Sequence, residues 1–168
     1  MLVEKNASRS RYRVEEDIAP LLSPIDNWEE DPKNARRHTQ RNLEEIKNSI
    51  LSYGQVKPII VNKESGIIEA GNGFWRVCKD LEWTHIAVIK VKHDHRTAMG
   101  FAIADNRTAQ LAEWNYSTLK DLYIELDTGE KMPAIGFNDS EMEDLMTRLG
   151  DEYHKSEITI SPEVFESH

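Results

Sequence analysis

Between residues 40 and 54 the apolar positions follow a helical period, with Leu43, Ile46, Ile50 and Leu51 sharing one face. Thr39 stands where a hydroxyl can cap that helix, and Gly54 stands where the helix can stop. The period then shortens. "KPIIVN" is rich in β-branched residues and predicts a strand, "KESG" a turn, and "IIEA" a second strand pairing back on the first. A helix is expected from about Phe74 to Leu81. "HIAVIKV" is nearly continuous in apolar character and predicts a third strand, buried on both faces. "TAMGFAIADNRTAQLAEW" reads as helix with a break near Asp105, and "STLKDLYIEL" places Leu119, Leu122, Tyr123 and Leu126 on one stripe. Ser140 and Glu143 form a capping-box pattern before a final helix.

Outside these segments the pattern is weaker. Residues 1–19 show no sustained period and are expected to form an arm. "LLSPIDNWEEDPKNARRH" carries two prolines among turn residues and reads as extended chain and loop. The last residues are mostly polar. The expected organisation is therefore an arm (1–19), a mixed core (20–96), a helical extension (97–149) and a polar tail (150–168). The order of elements predicts an α/β (α+β) fold, with helices packed around a small mixed sheet.

A chain of 168 residues is long enough for one real core. No apolar run reaches bilayer-spanning length, the N-terminus lacks a signal-peptide stretch, and Cys78 is the single cysteine. These features point to a cytoplasmic protein with no membrane partner. The net charge of −9 opposes whole-surface attraction to nucleic acid. Basic residues nonetheless gather at Arg9, Arg11 and Arg13, and again at Lys33, Arg36, Arg37, His38 and Arg41. Such a patch can be a solvated face or can hold one nucleotide or a short stretch of backbone.

The stretch with most chemical content is "EAGNGFWR", residues 69–76. Glycines between a strand and a helix can serve backbone shape. They can also bare the N–H groups of a helix N-terminus to an anion. On the second reading Gly71, Asn72 and Gly73 hold phosphate oxygens, and Arg36, Arg37 or His38 reach the same phosphates. Asn34 can bond a sugar or base, Gln55 and Lys57 can line the opposite wall, and Glu69 can orient a water or hold Mg²⁺. Arg76 can add charge or face solvent, and Asn106 and Arg107 can close the pocket. "HDH", residues 93–95, puts two imidazoles on one face without an evident third ligand, so no metal site is assigned. Of the tryptophans, Trp83 and Trp114 are expected in the core and Trp75 near the pocket.

"DPKNARRHTQRNLEEIKNSILSYGQVKPIIVN" followed by "GIIEAGNGFWRVCKDLEWTHIAVIKV" resembles the ParB N-terminal, or ParB/sulfiredoxin-like, domain. "IADNRTAQLAEWN" and "IGFNDSEMEDLM" are similar to segments of the branch found in phages and mobile elements. The resemblance covers residues 20–149 and implies a nucleotide pocket whose phosphate-facing loop begins at Gly71. The implied cofactor is a nucleoside triphosphate, with Mg²⁺ as a candidate companion. Where partition proteins carry G-E-R-R and sulfiredoxins G-C-H-R, this chain has Gly71, Asn72, Gly73 and Phe74. Asn72 at the cysteine position argues against sulfinic-acid repair.

Two functions stay open at this point. One is a nucleotide-binding domain for phage or plasmid DNA transactions (modification, partition or defence), with weak nucleotide hydrolase or nuclease activity as a candidate and Glu69 as the candidate catalytic group. The other is a non-catalytic interaction or regulatory domain that keeps the fold only. Candidate partners are the nucleotide, DNA or a DNA-modifying protein, and a second copy in a homodimer. Sequence-specific DNA binding by this chain alone has no readable helix-turn-helix to support it.

Overall fold

A computed structural model describes residues 13–126 and 134–147. Residues 1–12 of the expected arm, with Arg9 and Arg11, lie outside the described residues, as does the expected tail from residue 150. The chain forms two compact units, one running to Ala112 and the other starting at Glu113. No helix among the described residues is long and apolar enough to cross a membrane.

The first unit is built on a four-stranded mixed sheet in the order β1-β4-β2-β3, where β1 is Leu22–Pro24, β2 Ile59–Asn62, β3 Ile68–Ala70 and β4 His85–Val91. β2 pairs parallel to β4, with Ile59 opposite Val88, and antiparallel to β3, with Ile60 opposite Ala70. β1 is an edge strand antiparallel to β4. It lies in a stretch expected to be loop. Three residues ending at a proline carry too little pattern to announce a strand, but an edge tolerates proline because one side of the backbone needs no ladder partner.

Helix α1, Gln40–Tyr53, begins where Thr39 Oγ1 accepts from the Asn42 N–H at 3.2 Å and ends at Gly54, which takes φ +75. Helix α2, Asn72–Asp80, follows β3 directly. These elements enclose a core of Ile25, Trp28, Ile50, Ile59, Val61, Ile68, Val77, Cys78, Trp83, Ile86 and Val88. Residues 13–19, read from sequence as arm, are fastened to this unit: the Gln55 N–H donates to Arg13 O at 2.8 Å and the Glu15 N–H donates to Gln55 O at 2.9 Å.

β4 departs from the expectation of burial on both faces. Ile86, Ala87 and Val88 are buried, but Ile89 is 43% exposed. β1 pairs only with His85, Ile86 and Ala87, so the second half of β4 has a strand neighbour on one side alone, and the side chains of Ile89 and Lys90 are exposed there.

Helix α3, His95–Leu111, runs without a break through Asp105. The polar residues there bond back to the helix's own carbonyls, as Asn106 Nδ2 donates to Ala102 O at 2.8 Å and Thr108 Oγ1 donates to Ala104 O at 2.9 Å, so they do not interrupt it. The N-cap of α3 is Asp94, whose carboxylate accepts from the Thr97 N–H at 2.7 Å.

The second unit contains α4, Tyr116–Leu126, and a helix over residues 139–147. Trp114, expected in the core, is 60% exposed and packs edge-on against Phe137 with centroids 5.7 Å apart. The capping box of the last helix is Asn138 with Glu141, two residues before the expected pair: the Glu141 N–H donates to Asn138 Oδ1 at 2.9 Å and the Asn138 N–H donates to Glu141 Oε2 at 3.0 Å.

Candidate functional site

The turn between β3 and α2 is shaped by Gly71, which takes φ +98 and ψ +21, a left-handed conformation open to glycine. Its lack of a side chain is also a packing requirement, because a Cβ there would stand 2.5 Å from Ile59 Cγ2. Gly71 O accepts the first bond of α2, from the Trp75 N–H at 3.0 Å. No side chain caps α2, so its first turn keeps donors of the kind that suit an anion.

Asn72 is buried and ties two chain segments together. Its Oδ1 accepts from the Asp31 N–H at 3.0 Å, and its Nδ2 donates to Ile68 O at 3.3 Å. This fixes the loop of residues 31–38 beside the glycine turn. Within the loop the Asn34 side chain accepts from the Arg36 N–H at 3.0 Å. His38 ends the loop against Gly73, where a Cβ would come within 2.5 Å of its Cε1. His38 Nδ1 donates to Asn42 Oδ1 at 2.7 Å, which leaves Nε2 as the ring's remaining polar atom.

A cavity of about 540 Å³ opens between the loop, the glycine turn, β2, α1 and α3. Of the sequence-predicted residues it is lined by Asn34, Arg36, His38, Lys57, Glu69, Gly71, Asn72, Gly73 and Asn106. Arg36 Nη1 donates to Asn106 Oδ1 at 3.3 Å, so the loop and α3 meet at its rim.

The remaining predicted residues lie elsewhere. Arg37 and Arg76 line a neighbouring groove of about 460 Å³, where Arg76 is paired with Glu30 through both Nε and Nη2. Arg107 lines a third groove with Lys33 and Met99. Gln55 is fully buried: its Nε2 donates to Ala87 O at 2.9 Å and its Oε1 accepts from the Ala87 N–H at 2.8 Å. The amide therefore acts as a strand partner for β4 rather than as a cavity wall. Trp75 turns its Nε1 to Ile25 O at 3.2 Å and does not line the cavity.

Glu69 lines the cavity with a side chain only 3% exposed. Its Oε1 accepts from Asn62 Nδ2 at 2.9 Å and its Oε2 accepts from His93 Nδ1 at 2.6 Å. Asn62 Nδ2 also donates to His93 O at 2.9 Å. The "HDH" segment is thus divided between two tasks: His93 holds Glu69, and Asp94 caps α3. Hydrogen bonding from the Thr97 N–H holds the Asp94 carboxyl below the usual carboxylate range. No cluster of three or more His, Cys, Asp or Glu suited to a metal ion occurs among the described residues. Cys78 is fully buried, and burial pushes its thiol far above the ordinary range, so it is not a nucleophile at neutral pH.

Two polar lining residues, Glu45 and Ser49 on α1, were not singled out in the sequence, and Asp105 on α3, read there as a helix break, also lines the cavity. Glu45 and Ser49 lie four residues apart beside the apolar stripe of α1, and that adjacency was the available signal. The charged wall consists of Arg36 and Lys57 against Glu45, Glu69 and Asp105, together with His38.

Residues 10–107 match the family model of the ParB N-terminal domain. The probable chromosome-partitioning protein ParB of Rickettsia typhi is 34% identical over 98 residues, covering 54% of this chain and 34% of that protein. Its counterpart in Rickettsia prowazekii is 32% identical over 94 residues, covering 55% of this chain and 32% of that protein. The match thus spans about a third of the length of these relatives. A C-terminally truncated chromosome-partitioning protein ParB from Caulobacter crescentus, solved in complex with CTP-γ-S, superposes with a TM-score of 0.64 at 22% identity, over 83% of this chain and 86% of that one. At that identity the likeness shows a shared fold.

Proposed function

We propose a nucleotide-binding role for this chain, which belongs to the ParB N-terminal domain family. The ligand is a nucleoside triphosphate, with CTP as the first candidate because the Caulobacter relative was solved with a CTP analogue. The observation that carries this reading is the uncapped first turn of α2, which borders the cavity together with Arg36, His38 and Lys57. Backbone N–H groups at such a turn suit phosphate oxygens. Arg36 adds a planar donor fork and Lys57 a point charge.

In this proposal the phosphates lie at Gly71 and Gly73, and Asn34 bonds the sugar or base. Arg36 and Asn106 join the loop to α3 over the ligand. Arg37, Arg76 and Arg107, in their neighbouring grooves, act on the phosphates only if the loop or α3 shifts on binding. Mg²⁺ is normally held by one or two carboxylates plus substrate phosphates rather than by a full protein cage. Glu69 and Asp105 suit that role, and neither is part of a three-ligand cluster among the described residues. The bound ion would screen the triphosphate charge. Hydrolase or nuclease action, with Glu69 orienting a water, is a further element of the proposal. So are service in phage, plasmid or chromosome DNA transactions, a cytoplasmic location, and a homodimer or DNA partner.

A second reading is an interaction domain that keeps the fold alone. The commitment of Arg76 to Glu30 favours it, since that guanidinium is already paired. Equilibrium titration of the full chain with each of the four ribonucleoside triphosphates, with and without Mg²⁺, separates the two. Saturable binding, strongest for CTP, is expected. Absence of binding at millimolar ligand supports the interaction domain.

A further inference from the structure

The loop that brings Arg36 to the cavity is held by a continuous run of hydrogen bonds. The run starts at the first residue of α2, where the buried Asn72 side chain accepts from the Asp31 N–H at 3.0 Å. Asp31 then makes both bonds of a turn: its carbonyl accepts from the Asn34 N–H at 3.0 Å, and its carboxylate accepts from the Lys33 N–H at 2.8 Å. Pro32 follows it, and Asp before Pro is a sequence that such turns favour. Asn34 Oδ1 accepts from the Arg36 N–H at 3.0 Å, and Arg36 Nη1 reaches Asn106 Oδ1 at 3.3 Å. Asn72, Asn34, Arg36 and Asn106 line the cavity, whereas Asp31 stands outside it and lines the two neighbouring grooves.

We infer that Asp31 is a positioning residue for nucleotide binding, acting through Arg36: its carboxylate fixes the turn that sets the guanidinium at the cavity. The inference rests on the nucleotide-binding reading. Electrostatics alone gives the opposite expectation, because a carboxylate close to a triphosphate repels it and its removal tightens binding. Here the acceptor oxygen outweighs the charge. Without it the Lys33 N–H loses its side-chain partner, and the loop gains conformations in which Arg36 stands away from the phosphates.

Other contacts of the loop do not replace this role. Asn72 holds the backbone N–H of Asp31, and His38 packs on Gly73 at the far end of the loop, past Arg36. Between these two anchors the chain takes its shape from the side chains of Asp31 and Asn34. The Arg36–Asn106 bond is exposed and long for its kind, so it marks where the guanidinium reaches rather than forcing it there.

The test measures the dissociation constant of CTP at one pH and one Mg²⁺ concentration. Asp31→Ala is expected to weaken binding roughly three- to tenfold, the worth of one turn-fixing hydrogen bond. Asp31→Asn removes the charge but keeps an acceptor oxygen for the Lys33 N–H, and should bind within about twofold of wild type or tighter. The double variant Asp31→Ala, Arg36→Ala should bind no more weakly than Arg36→Ala alone, because both changes act through one group. Paired with Lys57→Ala, on a wall the loop does not form, the Asp31→Ala loss should add. Asp31→Ala that binds as well as wild type or better overturns the inference and leaves Asp31 a repelling charge. Asp31→Asn as weak as Asp31→Ala also overturns it, since the charge and not the acceptor is then what matters. Losses that add between Asp31 and Arg36 overturn the route through Arg36. Circular dichroism and an unfolding curve establish that each variant is folded. Should Asp31→Ala not fold, Asp31→Ser takes its place: its hydroxyl is a weaker acceptor, so it should bind less tightly than Asp31→Asn, and equal or tighter binding overturns the inference. Wild type that binds no nucleotide overturns the inference together with the reading beneath it.

Discussion

The imidazole of His38 lies so close to Gly73 that a Cβ on residue 73 would stand 2.5 Å from its Cε1 and 2.8 Å from its Nδ1. The contact joins the loop of residues 31–38 to the first turn of α2, and the Asn42 bond keeps the ring from swinging aside freely. Gly73→Ala is therefore expected to displace His38 and to cost about 1–3 kcal/mol of stability, the usual penalty for overpacking. Chemical denaturation measures the stability change, and the His38 ring resonances report the displacement. An unchanged midpoint with unchanged resonances would show that the contact is looser than described.

The two neighbouring arginines are predicted to differ. Arg36 lines the cavity and bonds Asn106, whereas Arg37 faces the adjoining groove. Arg36→Ala should weaken nucleotide binding by about 1.5–3 kcal/mol, the range for a lost charge-assisted hydrogen bond. Arg37→Ala should change it much less. Equal losses in a binding titration would mean that the loop reorganises around the ligand and that both guanidiniums reach it.

Local patterns carried most of the fold. The Thr39 cap, the Gly54 stop and the change to β-branched runs all depend on neighbours in sequence, and each is present in the structure. Features decided by distant partners were not legible. Gln55 reads as a polar residue before a strand; only the fold brings its amide against Ala87, 32 residues away. The Glu69–His93 pair spans 24 residues, and without it "HDH" resembles an incomplete metal motif. Asp105 reads as a break because side-chain bonds back to helix carbonyls, such as that of Asn106, have no sequence signature distinct from a cap. The residues now lining the cavity come from five elements, so spacing suggested the glycine turn and the basic loop but could not divide Arg36 from Arg37.

Gln55→Leu should be among the more destabilising single changes in the first unit. Leucine fills the volume but leaves the N–H and C=O of Ala87 without their side-chain partner. A loss of about 2–4 kcal/mol is expected from two unsatisfied buried groups. A denaturation midpoint within error of wild type would show that Ala87 finds other partners.

Cys78 gives a pH prediction of definite sign. Burial raises its folded-state pKa above that of the unfolded thiol, so its contribution to stability is full below the ordinary thiol range. That contribution is lost as pH rises beyond it, because the unfolded chain ionises first. Cys78→Ala should flatten the alkaline decline in stability, at the expense of some packing. Rapid reaction of the native wild-type thiol with a thiol reagent at neutral pH would contradict the burial.

Backbone amide chemical shifts recorded while CTP is added with Mg²⁺ test the account most directly. The predicted result is saturable perturbation centred on the N–H groups of Gly71, Asn72, Gly73 and Phe74, with the side chain of Arg36 following the same curve. Gly71→Val, which forces a side chain onto Ile59, should abolish it. Saturable shifts confined to the groove of Arg37 and Arg76, with the first turn of α2 unmoved, would contradict the assignment of this turn as the phosphate site.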